Sequence, residues 1–145
     1  MADELLRREY HIQGRDFERA GESSTLIKEI LKGVGIDPTL IRRAVVIVFE
    51  AEMNVVMYAE GGTVTLVLTE EEIRIEVADR GPGIPDIEQA MQEGYSTAAD
   101  DMREMGFGFG MGLPNIRRNS DLFTISSDVG RGTTVQSSIR LDGHG

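Results

Sequence analysis

Asp79-Arg-Gly-Pro-Gly-Ile-Pro-Asp86, followed later by Gly106-Phe-Gly-Phe-Gly-Met-Gly-Leu113, is the part of the chain around which the rest is arranged. Glycine at 81, 83, 106, 108, 110 and 112 strips side chains from two separate loops. In a regular element each would cost about 0.5–1 kcal/mol relative to alanine. The return for that cost is backbone able to take left-handed conformations or to press against a ligand. Bare N–H groups at a loop and at a helix N-terminus form a ready anion site, so the pair of loops points to a nucleotide's phosphates.

Working outward, Thr63–Thr69 and Ile73–Asp79 alternate apolar and polar residues about Glu70-Glu71, which predicts a β-hairpin ending at Asp79. Upstream, Asp37-Pro38 is a helix start, a capping Asp followed by Pro where its missing N–H costs nothing. That helix is expected to reach Ala59 and stop at Gly61-Gly62, roughly 22 residues or about 33 Å. Before it, residues 9–14 suit a strand. Asp16 is a candidate cap for a helix carrying Phe17, Ala20, Ser24, Ile27, Ile30 and Leu31, stopped near Gly33-Val34-Gly35. Downstream, Asp86–Gln92 reads as a short helix, 93–107 as a long loop and Met111–Asn119 as a second short helix. Leu122–Ser127 and Thr133–Leu141 form a second hairpin across Asp128–Gly132. This order predicts an α/β two-layer sandwich: a mixed, largely antiparallel sheet with helices on one face.

The 145 residues suit one domain, expected over 8–141 with flexible ends at 1–7 and 142–145. A net charge of −10 argues against a nucleic-acid partner, whose phosphates are held by Lys and Arg. An acidic chain that binds a polyanion needs compensation, most simply a divalent cation. The absence of cysteine excludes disulfides and thiolate metal sites and fits a reducing cytoplasm. No apolar run approaches the ~18 residues of a membrane span.

Glu50 and Asn54 stand one helical turn apart among Ile41, Val45, Val48, Phe49, Val55 and Val56. They either mark the solvated edge of an amphipathic helix, as Glu52 is expected to, or serve chemistry. In the second case Asn54 offers an oxygen to Mg2+ and Glu50 orients or deprotonates a nucleophile. Asp79 either initiates a turn or accepts a hydrogen bond from the exocyclic amine of adenine, with Gly83 letting the ring lie on the backbone. Gly106–Gly112 lacks the strand context of a dinucleotide fingerprint and no Gly-Lys-Ser/Thr is present, so the string reads as a hinge or a phosphate loop. Gly130–Thr134 reads as a hairpin turn with a hydroxyl as a second contact to the base. His11 and His144 have no ligand-spaced partner.

Together these pieces resemble the GHKL, or Bergerat-fold, ATPases. Glu50-Ala-Glu-Met-Asn54 resembles the N box, Asp79-Arg-Gly-Pro-Gly83 the G1 box, Gly106–Gly112 the G2 box and Gly132-Thr133-Thr134 the final threonine motif. Within that superfamily the chain is similar to the anti-sigma-factor serine/threonine kinases, and most to the stressosome switch-kinase branch. Asp79–Ile87, Glu93-Gly-Tyr-Ser-Thr97, Gly112-Leu-Pro-Asn115 and Asn54-Val-Val-Met-Tyr-Ala59 carry that likeness. It departs from many relatives at Tyr58, where they have His, and in an insert at about 98–105 bearing Asp100, Asp101 and Glu104 against Arg103.

The resemblance implies an ATP- and Mg2+-dependent kinase acting on a serine or threonine of a STAS-domain antagonist, with a surface for a sigma factor or regulatory phosphatase. Homodimerisation is left open. Glu50 is then the catalytic residue and Asn54 the Mg2+ ligand. Asp79, Gly81, Gly83, Ile84, Gly106, Gly108, Gly110, Met111, Gly112, Leu113, Thr133 and Thr134 line the nucleotide, with 106–112 wrapping the phosphates. The competing expectation is a nucleotide-sensing switch that sequesters its partner without turnover. A sensor histidine kinase fits less well, since no phosphoacceptor-histidine helix pair is present.

Overall fold

A computed structural model describes residues 3–92 and 112–141. Its spine is helix α2, Pro38–Tyr58, started as the sequence requires: Asp37 accepts the Thr39 N–H at 2.8 Å and Pro38 opens the first turn. One face of α2 buries Ile41, Ala44, Ile47, Val48, Ala51, Val55 and Val56. Each large aliphatic side chain so enclosed contributes about 2 kcal/mol. Phe49, expected in that stripe, is 40% exposed and lies over Gly21 instead.

Beneath α2 lie strands β1 (Leu6–Gln13), β2 (Gly61–Leu68), β3 (Glu72–Arg80), β4 (Leu122–Asp128) and β5 (Gly132–Arg140). They form one five-stranded sheet in the order β1-β2-β3-β5-β4. Every pairing is antiparallel, so the mixed sheet expected from sequence is wholly antiparallel among the described residues. Val64, Leu66, Ile73, Ile75, Val77, Val135 and Ile139 face the helices and are buried. The alternate residues, Thr63, Thr65, Glu76 and Gln136 among them, occupy the other face, the inside-out alternation of a one-sided sheet.

Helix α1 (Glu22–Gly33) packs on α2, a short α3 (Ile87–Ala90) follows the first hairpin in the chain, and α4 (Gly112–Arg118) packs on α2. Three boundaries differ from expectation. β1 starts at Leu6, pairing Leu6 with Leu68 and Arg7 with Val67, so these residues belong to the sheet and not to a free end. Asp16 does not cap α1. Arg15 donates its N–H to Val56 O at the end of α2, which holds the chain in turns until Gly21, at φ 95°, opens the helix. Gly61 and Gly62 do not stop α2 but begin β2, where a Cβ on Gly62 would fall 2.8 Å from Ala78 O.

Glu52, expected on the surface, is 2% exposed and accepts the Ser23 N–H at 3.3 Å. Gly21 offers α1 no side-chain cap, so the carboxylate of Glu52 supplies the acceptor from another helix. Burial pushes its pKa up, partly offset by the N–H groups of Ser23, Ser24 and Gly21.

Candidate functional site

Glu50 and Asn54 project from the same side of α2, both half-buried, toward α4. Glu50 Oε2 accepts a 2.8 Å hydrogen bond from Asn115 Nδ2, and Asn115 Oδ1 accepts one of 3.0 Å from Arg118 Nη1. The amide dipole of Asn115 therefore aligns with both charges, its donor on the carboxylate and its acceptor on the guanidinium. Gly112 lies against Asn54: a Cβ there would sit 3.3 Å from Asn54 Oδ1. Leu113 packs against the core, while Pro114 and Ile116 are buried. Arg43 of α2 reaches the far end of the same unit, donating to Asn119 O and Asp121 Oδ1, each at 3.0 Å. These contacts fix α4 along α2 and with it the place of Asn115.

Asp79 is the penultimate residue of β3, on the helix-facing side. Its Oδ1 accepts the Thr133 N–H at 3.0 Å, and Oδ2 has no hydrogen-bond partner among the described residues. Three glycines crowd the aspartate. A Cβ on Gly62 would lie 3.3 Å from its Cβ, one on Gly81 would lie 3.2 Å from Oδ1, and one on Gly132 would lie 2.0 Å from its carbonyl oxygen. Burial pushes the Asp79 carboxyl above its ordinary value, and the Thr133 N–H opposes that.

Ser127 ties the surrounding loops. Its hydroxyl accepts the Ile84 N–H at 2.7 Å and lies 2.8 Å from Thr133 Oγ1 and 3.1 Å from Gly132 O. Gly83 adopts φ 76°, and a Cβ there would fall 2.4 Å from Asp128 O. The glycine is thus required by the packing of the 81–84 turn on the 128–132 turn, a different reason from the access for a flat ring read from sequence.

Of the residues singled out by sequence, Glu50 and Asn54 stand together beside Gly112, and Asp79, Gly81, Gly83, Ile84 and Thr133 cluster at the ends of β3 and β5. Thr134 is not among them. It pairs with Ala78 and Ser126, and strand alternation puts its side chain on the sheet face opposite Thr133. Gly106, Gly108, Gly110 and Met111 lie outside the described residues, as do Glu93–Thr97 and the acidic insert. Two residues of the site went unassigned in sequence. In sequence Asn115 carries only its likeness to relatives and its place one turn from Gly112; Ser127 carries no signal beyond facing the same way as Ile125. No cluster of three or more His, Asp or Glu side chains suited to a metal ion occurs among the described residues. Nor is any helix there long and apolar enough to cross a membrane.

The profile of the family described as histidine kinase-, DNA gyrase B-, and HSP90-like ATPase matches residues 32–143, most of the chain. The chain belongs to this family. Among proteins of this ATPase family, the serine/threonine-protein kinase RsbT of Bacillus subtilis is 30% identical over 114 residues, 76% of this chain and 80% of RsbT. An anti-sigma F factor of Clostridium acetobutylicum is 35% identical over 107 residues, 69% of this chain and 71% of that protein. A chain of the SiaB-SiaC complex of Pseudomonas aeruginosa superimposes with a TM-score of 0.61 at 14% identity, covering 94% of this chain and 91% of that one. At that identity the likeness speaks for the fold alone.

Proposed function

We propose that this chain is an ATP- and Mg2+-dependent serine/threonine protein kinase of the anti-sigma-factor type, modifying a STAS-domain antagonist in a partner-switching pathway. The observation that carries the reading is the Glu50–Asn115 hydrogen bond one helical turn from Asn54, on the same side of the sheet as Asp79. RsbT, a serine/threonine-protein kinase by name, and the anti-sigma F factor, relatives across more than two thirds of their length, support the reading.

The residues present fit a nucleotide. Among the described residues Asp79 keeps one carboxylate oxygen without a hydrogen-bond partner, half-buried and crowded by Gly62, Gly81 and Gly132. Its carboxylate would accept the exocyclic amine of adenine, a preference that guanine's carbonyl at that position could not meet. Asn54 offers a neutral oxygen to the metal. Bound ATP would supply the phosphoryl group and Mg2+ the charge neutralisation on which such transfers largely depend.

Glu50 receives the proton of the incoming serine or threonine hydroxyl. Asn115 holds its Oε2. Asn115 is here a positioning residue, since it acts through Glu50. A sigma factor or regulatory phosphatase is the further partner that this reading implies.

Glu50→Ala tests the assignment with labelled ATP and a candidate STAS-domain protein. Phosphate transfer is expected to vanish while ATP affinity is retained. Unchanged transfer kinetics remove Glu50 from the mechanism. A stable complex with the wild-type chain and no transfer reassigns the protein as a nucleotide-dependent binding switch.

A further inference from the structure

Beside the Asp79–Gly83 turn a cleft of about 530 Å³ opens, and neither Glu50 nor Asn54 lines it. Its charged walls are Arg15, Arg80 and Arg131 with a single carboxylate, Glu60, and Tyr58 contributes a phenol. This is a basic hollow in a chain whose net charge is −10.

Each arginine is delivered by a separate part of the fold. Arg80 follows Asp79 on β3, so its side chain leaves the sheet on the opposite face, laid over bare Gly61 where a Cβ would fall 2.7 Å from Nη2. Arg131 tips the β4–β5 turn, and its carbonyl accepts the Gly81 N–H at 3.2 Å. Arg15 sits at φ 65°, the left-handed region, which a non-glycine residue adopts only at a cost. Its N–H, bonded to Val56 O at 2.8 Å, keeps it there. Among the described residues neither Arg80 nor Arg131 forms an ion pair.

We propose that this cleft binds a phosphoserine or phosphothreonine side chain on a partner protein. Three guanidinium groups line the cleft against one carboxylate, and Arg80 and Arg131 form no ion pair among the described residues, so its sign suits the roughly −1.5 to −2 charge of a phosphate monoester at neutral pH. Arginine's planar fork suits phosphate oxygens bidentately. An extended run of Asp and Glu is the poorer occupant, because outside the cleft the chain is more acidic than its overall −10 and repels it. A dianion concentrated on one residue gains the attraction without that repulsion. Since the groups assigned to transfer lie elsewhere, the phosphate held here is one already installed, and the proposal stands whether or not the chain turns over ATP.

The test is fluorescence anisotropy of the full chain with a labelled Gly/Ala pentapeptide carrying central phosphoserine, against the same peptide with serine or glutamate. The phosphoserine peptide is expected to bind at least about tenfold more tightly than either. Arg80→Ala and Arg131→Ala are each expected to weaken it about tenfold, with Arg80→Lys intermediate because charge remains and the fork is lost. ATP titrations of the variants, unchanged from wild type, establish that they are folded; Arg131, exposed at a turn tip, serves if Arg80→Ala is not. Equal binding of the three peptides, indifference to Arg131→Ala, or displacement of the peptide by ATP each overturns the proposal. The last places the phosphate in the nucleotide pocket.

Discussion

Glu50 and Asn115, 65 residues apart in the chain, are joined by a 2.8 Å hydrogen bond between carboxylate and amide. A carboxylate on a flexible stem gains a fixed direction from such a bond, and proton transfer depends on direction before it depends on basicity. Asn115→Ala is therefore expected to lower phosphoryl transfer about tenfold while leaving ATP affinity within twofold. Single-turnover rates beside calorimetric titrations check both numbers. An equal loss in affinity would mean that Asn115 organises the nucleotide and not Glu50.

Asp79 carries a second prediction. If its ionised carboxylate accepts from adenine, Asp79→Asn loses a charge-assisted hydrogen bond of about 1.5–3 kcal/mol, weakening ATP roughly 10- to 100-fold. Burial raises the pKa of this group, so the charged form disappears at a higher pH than for an ordinary aspartate. Wild-type affinity, titrated across acidic pH, should thus fall as pH drops through that raised value, and the asparagine variant should lack the step. Stability of the free protein moves the other way. A raised folded pKa contributes stability that is present in acid and lost as pH rises through it.

The same sign applies to Glu52, deeper in the fold. Its pKa is raised by burial, so the protonated acid is favoured in the folded state and the advantage fades as pH climbs above the ordinary glutamate range. Glu52→Gln should gain on wild type as pH rises through the raised value, by about 1.4 kcal/mol for each pH unit by which burial raises the group. Urea denaturation at several pH values measures the gap. A gap constant with pH would show that Glu52 titrates as an exposed acid does.

At Gly83 the prediction concerns folding and not binding. Alanine there meets Asp128 O at 2.4 Å and must hold φ 76°. Gly83→Ala should lower stability by at least about 2 kcal/mol in the absence of any nucleotide. Thermal unfolding of the free variant decides it, and wild-type stability with lost ATP affinity would return Gly83 to the role of a platform for the base.

Much of this architecture was legible in sequence because local rules governed it. Asp37-Pro38 started α2, alternation about Glu70-Glu71 made the β2–β3 hairpin, and Asp79 before Gly-Pro-Gly marked the strand end where the site lies. Those signals arise between residues a few positions apart, and the neighbours that enforce them are in the same segment. The order of motifs along the chain was likewise enough to indicate the ATPase family.

The rest was decided by partners far away in sequence. Asp16 failed as a cap because the end of α2 claimed Arg15; Glu52 was buried because the first turn of α1 lacked an acceptor; Gly61 and Gly62 entered a strand because β3 lay against them. Thr134 was lost to the site by the register of β5, since one residue along a strand exchanges one face for the other. Periodicity counts which residues share a face, but it does not say which long-range donor meets which acceptor. The hydrogen bonds of Asn115 and Ser127, and the meeting of three arginines at one end of the sheet, exist only once the strands are paired and α4 is docked on α2.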